Sequence, residues 1–327
     1  MLRTRLCDLL GIEAPIIQGP LGGPWGQSMD LPAAVCAAGG LGSIATSLRT
    51  AHQFRHDLAR LRELTDRPFA VNHTRRPFSE EVFAASLEDP PAVISLALGE
   101  PGDLVARAHD AGALFLQQVT TVEQARQAAD AGADVISAQG MESGGFSGAV
   151  STLALVPQVV DAVRPLPVVA SGGIADGRGL AAALVLGAEG VNIGTRFLAS
   201  EESAVPDEWK QSILRASSEQ AVKVEFSDHV MPPPTAGGYA TVPRSLRTPF
   251  VDEWNARLGD AEKRSESLRE QLGAAIRDGR AHELIPITGQ TAGMIGEVLP
   301  AAEIARRMVV EAEEALRAAR ARTGGLP

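Results

Sequence analysis

The sequence predicts a (β/α)8 barrel with a helical insertion before its last helix, and two observations support that fold class. Eight short apolar segments alternate along residues 14–195 with Ala-rich segments whose apolar residues recur at helical spacing. Strands that alternate with helices pair in parallel, and eight such units favour a closed barrel. The second observation is that no G-x-G-x-x-G turn follows the first strand, as an open dinucleotide-binding sheet would require.

Short apolar runs mark the strands. The eight predicted strands are Ala14–Gln18, Leu41–Ala45, Phe69–Asn72, Ala92–Leu98, Leu114–Val119, Asp134–Ala138, Val168–Ser171 and Gly190–Ile193. Thr120 with Glu123 predicts a capping box at one helix start, and Asp176 predicts an N-cap at another. Glycines 112, 132 and 187 are placed as helix-ending residues just before the next strand.

The composition changes after residue 199, which divides the chain into three parts. Residues 1–199 are predicted to form the main part of the barrel. Residues 200–290, with a proline-rich run and a charged helical stretch, are predicted to form a helical insertion that covers the C-terminal mouth as a lid. Residues 291–327 return to the barrel and carry its closing helix at Ala301–Ala321.

Charge and composition exclude several classes of partner. The chain has 327 residues and a formal net charge of −10, which argues against nucleic acid and anionic membranes as partners. No stretch reaches the roughly 18 uncharged apolar residues of a membrane span. Cys7 and Cys36 give neither a disulfide framework nor a metal-ligand spacing. We therefore expect a cytoplasmic protein without a metal.

Glycines follow the seventh and eighth predicted strands, where barrels often bind phosphate. Ser171, Gly172 and Gly173 follow the seventh strand, and Gly194 and Thr195 follow the eighth. Bare backbone lets N–H groups approach an anion, and the helix that begins near residue 177 adds its positive end. The alternative for either pair alone is a tight turn. Two such pairs at these positions predict a phosphate site.

Polar residues at other strand ends surround the same predicted site. The first strand leads into Gly19, Pro20 and Leu21, a segment that suits a flat ring lying against the main chain. Amide side chains and one further glycine end other strands, at Asn72, Gln118, Gln139 and Gly140. Such amides both donate and accept hydrogen bonds, as the polar edge of an isoalloxazine requires.

Several long motifs resemble the nitronate monooxygenase family, once called 2-nitropropane dioxygenases. They are PIIQGPLGG, AAVCAAGGLGSIAT, GADVISAQGMESGG, VVASGGIADGRGLAAALVLGAEGVNIGTRFLAS and GQTAGMI, and the similarity runs nearly end to end. The resemblance implies an FMN-binding barrel that oxidises small alkyl nitronates with dioxygen. It also implies flavin contacts at the residues named above, with Gln290 of the last motif added. The same family scaffold serves NAD(P)H-dependent quinone reductases and FMN-dependent enoyl-carrier-protein reductases.

One residue departs from the family pattern. The sixth loop of the family usually reads E-A-G-G-H-x-G, with the histidine as catalytic base or substrate partner, whereas this chain has Phe146 at the histidine position. Phenylalanine cannot accept a proton, so we expect Phe146 to be a wall of the substrate pocket.

Three hypotheses then remain open for the chemistry. A nitronate is already ionised and needs no base. Alternatively His73, His229 or Tyr239 handles the proton, although His73, next to Asn72 on a strand, also fits a structural role on the opposite face. The third is hydride transfer, in which an NAD(P)H-dependent FMN reductase acts on a quinone or an enoyl thioester. A flavin-free barrel that binds a phosphorylated metabolite is the alternative from another class. We expect a small-molecule substrate, with dioxygen or NAD(P)H as redox partner, and leave a homodimer open.

Overall fold

The computed structural model describes residues 2–21, 28–231 and 241–324. Gly22, Gly23, Tyr239 and the whole proline-rich run after Met231 lie outside the described residues. Within the described residues, no helix is long and apolar enough to cross a bilayer, and no group of three His, Cys, Asp or Glu side chains is placed to hold a metal ion.

Eight parallel strands form the barrel, in the ring order β1-β9-β8-β6-β5-β4-β3-β2. The strands of the described chain are β1 (Ile16–Gln18), β2 (Gly42–Ala45), β3 (Phe69–Thr74), β4 (Val93–Ala97), β5 (Leu114–Val119), β6 (Val135–Gln139), β7 (Gly145–Ser147), β8 (Val168–Ser171), β9 (Gly190–Ile193), β10 (Ala221–Lys223) and β11 (Val242–Leu246). The ring closes between β1 and β2, where the amide of Gln18 donates to the Leu41 carbonyl at 2.9 Å. The predicted barrel and all eight of its strands are confirmed.

Side chains alternate between the inside and the outside of the barrel. One interior cluster is apolar and fills the N-terminal half. It comprises Ile17, Leu41, Ala70, Val93, Leu116, Val135 and Val169, packed on Leu6, Cys7 and Leu10 of the first helix. Residues two positions further along the same strands therefore point inward at the C-terminal end. Several of these are polar, so the barrel interior changes from apolar to polar towards its mouth.

Helices surround the barrel and cover the outward faces of its strands. The helices of the main barrel are α1 (Arg5–Leu10), α2 (Asp30–Ala37), α3 (Ala51–Leu64), α4 (Glu80–Glu88), α5 (Leu104–Asp110), α6 (Val122–Asp130), α7 (Thr152–Val163), α8 (Gly177–Val185) and α15 (Ala301–Arg322). Asp176 caps α8 as predicted, accepting from the amides of Arg178 and Gly179. The capping-box prediction was one residue early, because Thr121 accepts from the Gln124 amide at the start of α6.

The insertion is more than a helical lid. The short helix α9 (Thr195–Leu198) follows β9 and leads into it, and its helices are α10 (Asp207–Arg215), α11 (Ser227–Val230), α12 (Pro249–Asn255), α13 (Leu258–Lys263) and α14 (Ser265–Arg277). The sequence did not predict β10 and β11, which pair antiparallel, nor that β11 pairs in turn with β7 of the sixth loop. Strands this short leave no periodicity to detect, and β7 lies about a hundred residues before its partner β11.

Candidate active site

A cavity of about 530 Å³ lies at the C-terminal ends of the barrel strands. The barrel contributes its floor and the insertion contributes an apolar roof, whose residues are Trp209, Met231, Leu272, Ile276, Ile285 and Ile287. Most residues predicted from the sequence line this cavity: Gly19, Pro20, Leu21, Asn72, His73, Gln118, Gln139, Phe146, Ser171, Gly172, Gly173, Gly194 and Thr195. The described residues that line it do not include Gly140 or Gln290.

The two glycine loops lie side by side because β8 and β9 are neighbours in the ring. Gly172 and Gly173 have φ angles of 93° and 73°, a left-handed conformation that favours glycine. Gly194 is different, since a Cβ built on it meets nothing within 4 Å and would point into open space. The Thr195 hydroxyl accepts from the Gly289 amide at 2.9 Å, so it is already used by the protein. These loops form a cradle with room for a ligand at Gly194.

Polar side chains cross the mouth of the barrel and contact one another. Asn72 Nδ2 donates to Ser95 Oγ at 3.0 Å, and Gln118 Nε2 donates to Gln139 Oε1 at 3.0 Å. Asn192 donates to Ser137 Oγ at 3.4 Å, but its Oδ1 is buried and has no partner among the described residues. A buried acceptor without a donor is costly, so this atom suits a ligand that donates a hydrogen bond.

Asn192 was not predicted from the sequence, because it precedes the end of its strand. The signal for it was available: it lies two residues after Gly190 on β9, at an inward-facing position. Gly19 lies close by, and its amide donates to the Ile193 carbonyl at 2.7 Å. A Cβ on Gly19 would come within 3.2 Å of Asn192 Oδ1, so glycine avoids a close contact with that oxygen.

Glu142 fixes the sixth loop against α7 and against the segment before the last helix. Its carboxylate accepts from the Thr152 amide and hydroxyl at 2.9–3.0 Å, and its carbonyl accepts from the Gln290 amide at 2.9 Å. Gly140 faces the same contact rather than the cavity, because a Cβ on it would lie 2.0 Å from Thr152 Oγ1. Gly140 and Gln290 therefore hold the loop that borders the cavity, and their contact with a cofactor remains a prediction.

We expect Gly140→Ala to lower the free energy of unfolding by at least about 2 kcal/mol, because the added methyl group overlaps the start of α7. The matched control is Gly259→Ala on α13, where a Cβ meets nothing within 4 Å. That change should stabilise the protein by about 0.5–1 kcal/mol. Denaturant unfolding of both variants is the measurement, and equal midpoints would contradict the assigned packing of Gly140.

Phe146 lies in a strand and not in a free glycine loop. It is half-buried, lines the cavity, and stands opposite Pro243 in the pairing of β7 with β11. The Pro243 carbonyl faces the β10 side, where it accepts from the Val224 amide at 2.9 Å. The pairing of β7 with β11 comprises three residue pairs, and side chains of the insertion add further contacts.

Two cations of the insertion hold the sixth loop, one at the end of β7 and one before the strand begins. Lys223 Nζ donates to the carbonyl and hydroxyl oxygens of Ser147 at 2.9 and 2.7 Å. Arg244 donates from Nε and Nη2 to the carbonyl of Met141 at 3.1 and 2.8 Å. Burial, with a smaller effect of Arg244, lowers the pKa of Lys223 to about 8. The insertion thus fixes the backbone that presents the Phe146 ring.

Although His73 borders the cavity, its ring packs against α4 in the helical layer. Its ring nitrogens lie 3.3 Å from Thr46 Oγ1 and 3.1 Å from Ser86 Oγ, and its edge packs on Phe83 of α4. Both hydroxyls donate to backbone carbonyls, that of Thr46 to Asn72 and that of Ser86 to Phe83, so each is placed to accept from a ring N–H of His73. Burial lowers the pKa of His73 to about 3. This environment favours the structural alternative for His73. His229 on α11 is not among the described residues that line the cavity.

The buried neutral His73 predicts a loss of stability in acid. The unfolded chain binds a proton near pH 6.5 whereas the folded chain does so near pH 3, so stability is full above pH 6.5 and falls as the pH decreases towards 3. The slope approaches about 1.4 kcal/mol per pH unit. Denaturant unfolding across this range should show a shallower slope in His73→Gln. Parallel curves for the two proteins would contradict the assignment.

Comparisons with known proteins agree with this fold and cavity. The family model described as nitronate monooxygenase matches residues 3–77 and 76–311. The chain is 34% identical to a nitronate monooxygenase of Pseudomonas aeruginosa, over 95% of this chain and 99% of that protein. It is 32% identical to the (3aS,4S,5R,7aS)-5-hydroxy-7a-methyl-1-oxo-octahydro-1H-indene-4-carboxyl-CoA dehydrogenase of Mycobacterium tuberculosis, over 95% and 96% of the two chains. The structure of FabK from Thermotoga maritima superposes with a TM-score of 0.88 at 35% identity, covering 98% of this chain and 99% of that one.

The barrel, the cavity at the carboxyl ends of its strands and these relatives define a flavin-dependent oxidoreductase. Within that class, the chain belongs to the nitronate monooxygenase family.

Proposed function

We propose that this protein binds FMN and oxidises small alkyl nitronates with dioxygen. The proposal rests on the apolar wall of the cavity and on position 146, where the family has a histidine base and this chain has none. The described residues that line the cavity include no Asp or Glu, and Phe146 occupies the family's histidine position. A nitronate is already deprotonated and negatively charged, so such a pocket suits it better than it suits a neutral nitroalkane.

The residues present fit the cofactor. The cradle at Gly172, Gly173 and Gly194 would hold the phosphate, since an added Cβ at Gly194 would fill open space. The unpartnered oxygen of Asn192 would accept from a ring N–H, beside the amides of Gln118 and Gln139. When bound, FMN supplies the electron transfer, and the protein supplies binding and orientation.

The chain's own residues position the substrate and exclude water. Phe146 and the apolar roof leave little polar surface above the floor, which strengthens electrostatic attraction for an anionic substrate. The indole N–H of Trp209 donates to Thr288 Oγ1 at 3.0 Å, which fixes the ring in the roof. No proton needs to be removed by the protein when the substrate arrives as a nitronate.

The test begins with the purified protein. We expect a yellow protein that releases FMN on denaturation and consumes oxygen with ethyl nitronate. Neutral nitroethane should react at least about a hundredfold more slowly, since general base catalysis contributes about 10²–10⁴-fold. A colourless protein that binds no added FMN would contradict the proposal and favour the flavin-free barrel.

A second candidate is an NAD(P)H-dependent FMN reductase that acts on a quinone or an enoyl thioester. It is supported by the relative named as a carboxyl-CoA dehydrogenase, which matches nearly the whole chain. Anaerobic bleaching of the flavin separates the two candidates. Bleaching by NADH or NADPH with no reaction towards nitronates would favour the reductase.

A further inference from the structure

The cavity carries positive charge in an acidic protein. The formal net charge of the chain is −10, yet the charged side chains among the described residues that line the cavity are two arginines, Arg49 and Arg76. A cavity of this kind attracts anions, and low-dielectric walls strengthen the attraction. The question is which of the two guanidinium groups is available to a ligand.

Arg49 is already used by the protein. Its side chain is 4% exposed, its Nε donates to Asp57 Oδ2 at 2.8 Å, and its Nη1 donates to the Ala45 carbonyl. Arg76 is exposed, and the described residues provide it with no ion pair or hydrogen bond. Arg76 is therefore the cation of the cavity whose charge is not compensated.

The neighbouring Arg75 does not share the exposure of Arg76 to the cavity. Arg75 follows directly on β3, and its guanidinium lies 5.2 Å from the centre of the Phe78 ring. Its side chain also packs against Gly99, where an added Cβ would lie 2.7 Å from Arg75 Cβ. Arg75 does not line the cavity in the described part of the chain, whereas Arg76 does.

Arg76 stands on the opposite side of the mouth from the glycine cradle. It belongs to the loop after β3, and the cradle to the loops after β8 and β9. In the ring of eight strands β3 lies four places from β8, which is diametrically opposite. One anion cannot occupy both places, so an anion at Arg76 is distinct from a phosphate in the cradle.

The walls beside Arg76 define the rest of the ligand. Leu48, Phe78 and Leu98 come from the loops after β2, β3 and β4, and all three line the cavity together with Phe146. A ligand that reaches Arg76 must pass along this apolar surface. A ligand that fits this part of the cavity has an apolar body with an anionic group at one end.

We propose that Arg76 determines substrate specificity by binding a carboxylate or phosphate group, which an apolar body separates from the reacting atoms of the substrate. This inference rests on the proposed function, because it names the substrate class of the same site. A hydrogen-bonded arginine–anion pair in a partly exposed site favours the anion by about tenfold. Because Arg76 is exposed, salt should weaken that preference.

The test uses a matched pair of ligands, naphthoate and its neutral alcohol naphthylmethanol, titrated calorimetrically into the holoenzyme. Wild type should bind naphthoate about tenfold more tightly than the alcohol. Arg76→Gln should abolish the preference without changing the affinity for the alcohol, and Arg76→Lys should retain part of it. Arg75→Gln, with the same change of charge in the same loop, should keep the preference. Flavin content, measured in parallel, should be equal in all four proteins.

Two results would overturn the inference. One is a naphthoate preference that is missing in wild type or survives in Arg76→Gln. The other is a loss of NADH and NADPH affinity in Arg76→Gln with the naphthoate preference intact, since Arg76 would then serve a nucleotide. A colourless protein would instead overturn the proposed function, and the ratio of the two ligand affinities could still be measured on it.

Discussion

Gly194→Asp should abolish flavin retention while the barrel remains folded. Gly194 has φ −99° and ψ −75°, so an L-residue is not excluded by left-handed strain, and its Cβ would meet nothing within 4 Å. The new carboxylate would point into the space where a phosphate is expected. Two unit charges 4 Å apart repel by about 4 kcal/mol at an effective dielectric constant of 20. FMN affinity should therefore fall at least about a hundredfold.

The control is Gly194→Asn, which has nearly the same shape without the charge. We expect it to retain flavin better than Gly194→Asp, and both variants to melt within a few degrees of wild type. Fluorescence titration of the apoprotein with FMN measures the affinity. Gly173→Asp should also lose flavin, but its φ of 73° adds strain, so it tests the cradle less cleanly. Equal flavin affinity in wild type and Gly194→Asp would remove the phosphate assignment.

Phe146→His should give the protein turnover of a neutral nitroalkane. The strand β7 fixes the backbone, and both side chains branch to a planar ring at Cγ, so the imidazole should occupy the place of the phenyl ring. A base there removes the carbon-bound proton that wild type leaves in place, and the expected gain is at least about tenfold. The new activity should rise as the pH passes through about 6.5, where an unperturbed histidine loses its proton.

Oxygen consumption with nitroethane and with ethyl nitronate is the measurement. Turnover of the nitronate should change much less, because that substrate arrives deprotonated. Phe146→Leu is the control, since it removes the ring without adding a base, and it should gain nothing with nitroethane. Equal effects of Phe146→His on both substrate forms would show that residue 146 is not placed where a base acts.

The barrel could be predicted from the sequence because each of its strands and helices has a recognisable local sequence pattern. Gly112, Gly132 and Gly187 end helices with positive φ angles, as their places before strands predicted. The helix start at Thr120 was wrong by one residue because two adjacent threonines offer the same chemistry, and local packing selects Thr121.

Parts of the site depend on contacts between distant segments, which no local pattern records. The pairing of β7 with β11 joins Phe146 to Pro243 across about a hundred residues, so the sequence indicated a loop. The orientation of His73 followed from strand alternation, but its partners Thr46 and Ser86 did not. Predicting Asn192 as a site residue requires knowing which residues of β9 face inward, and the closed barrel establishes that.

The sheet formed by β10, β11 and β7 also constrains how relatives of this protein can exchange parts. Recombination that imports a foreign 200–290 segment would bring new residues opposite 145–147 and remove the cations that hold Met141 and Ser147. We therefore expect the sixth loop and the insertion to be exchangeable only together, although more than fifty residues separate them along the chain. A chimera made at the boundaries of the insertion alone would combine two halves of different substrate pockets. A chimera that keeps the pocket intact should exchange residues 141–148 together with residues 221–246.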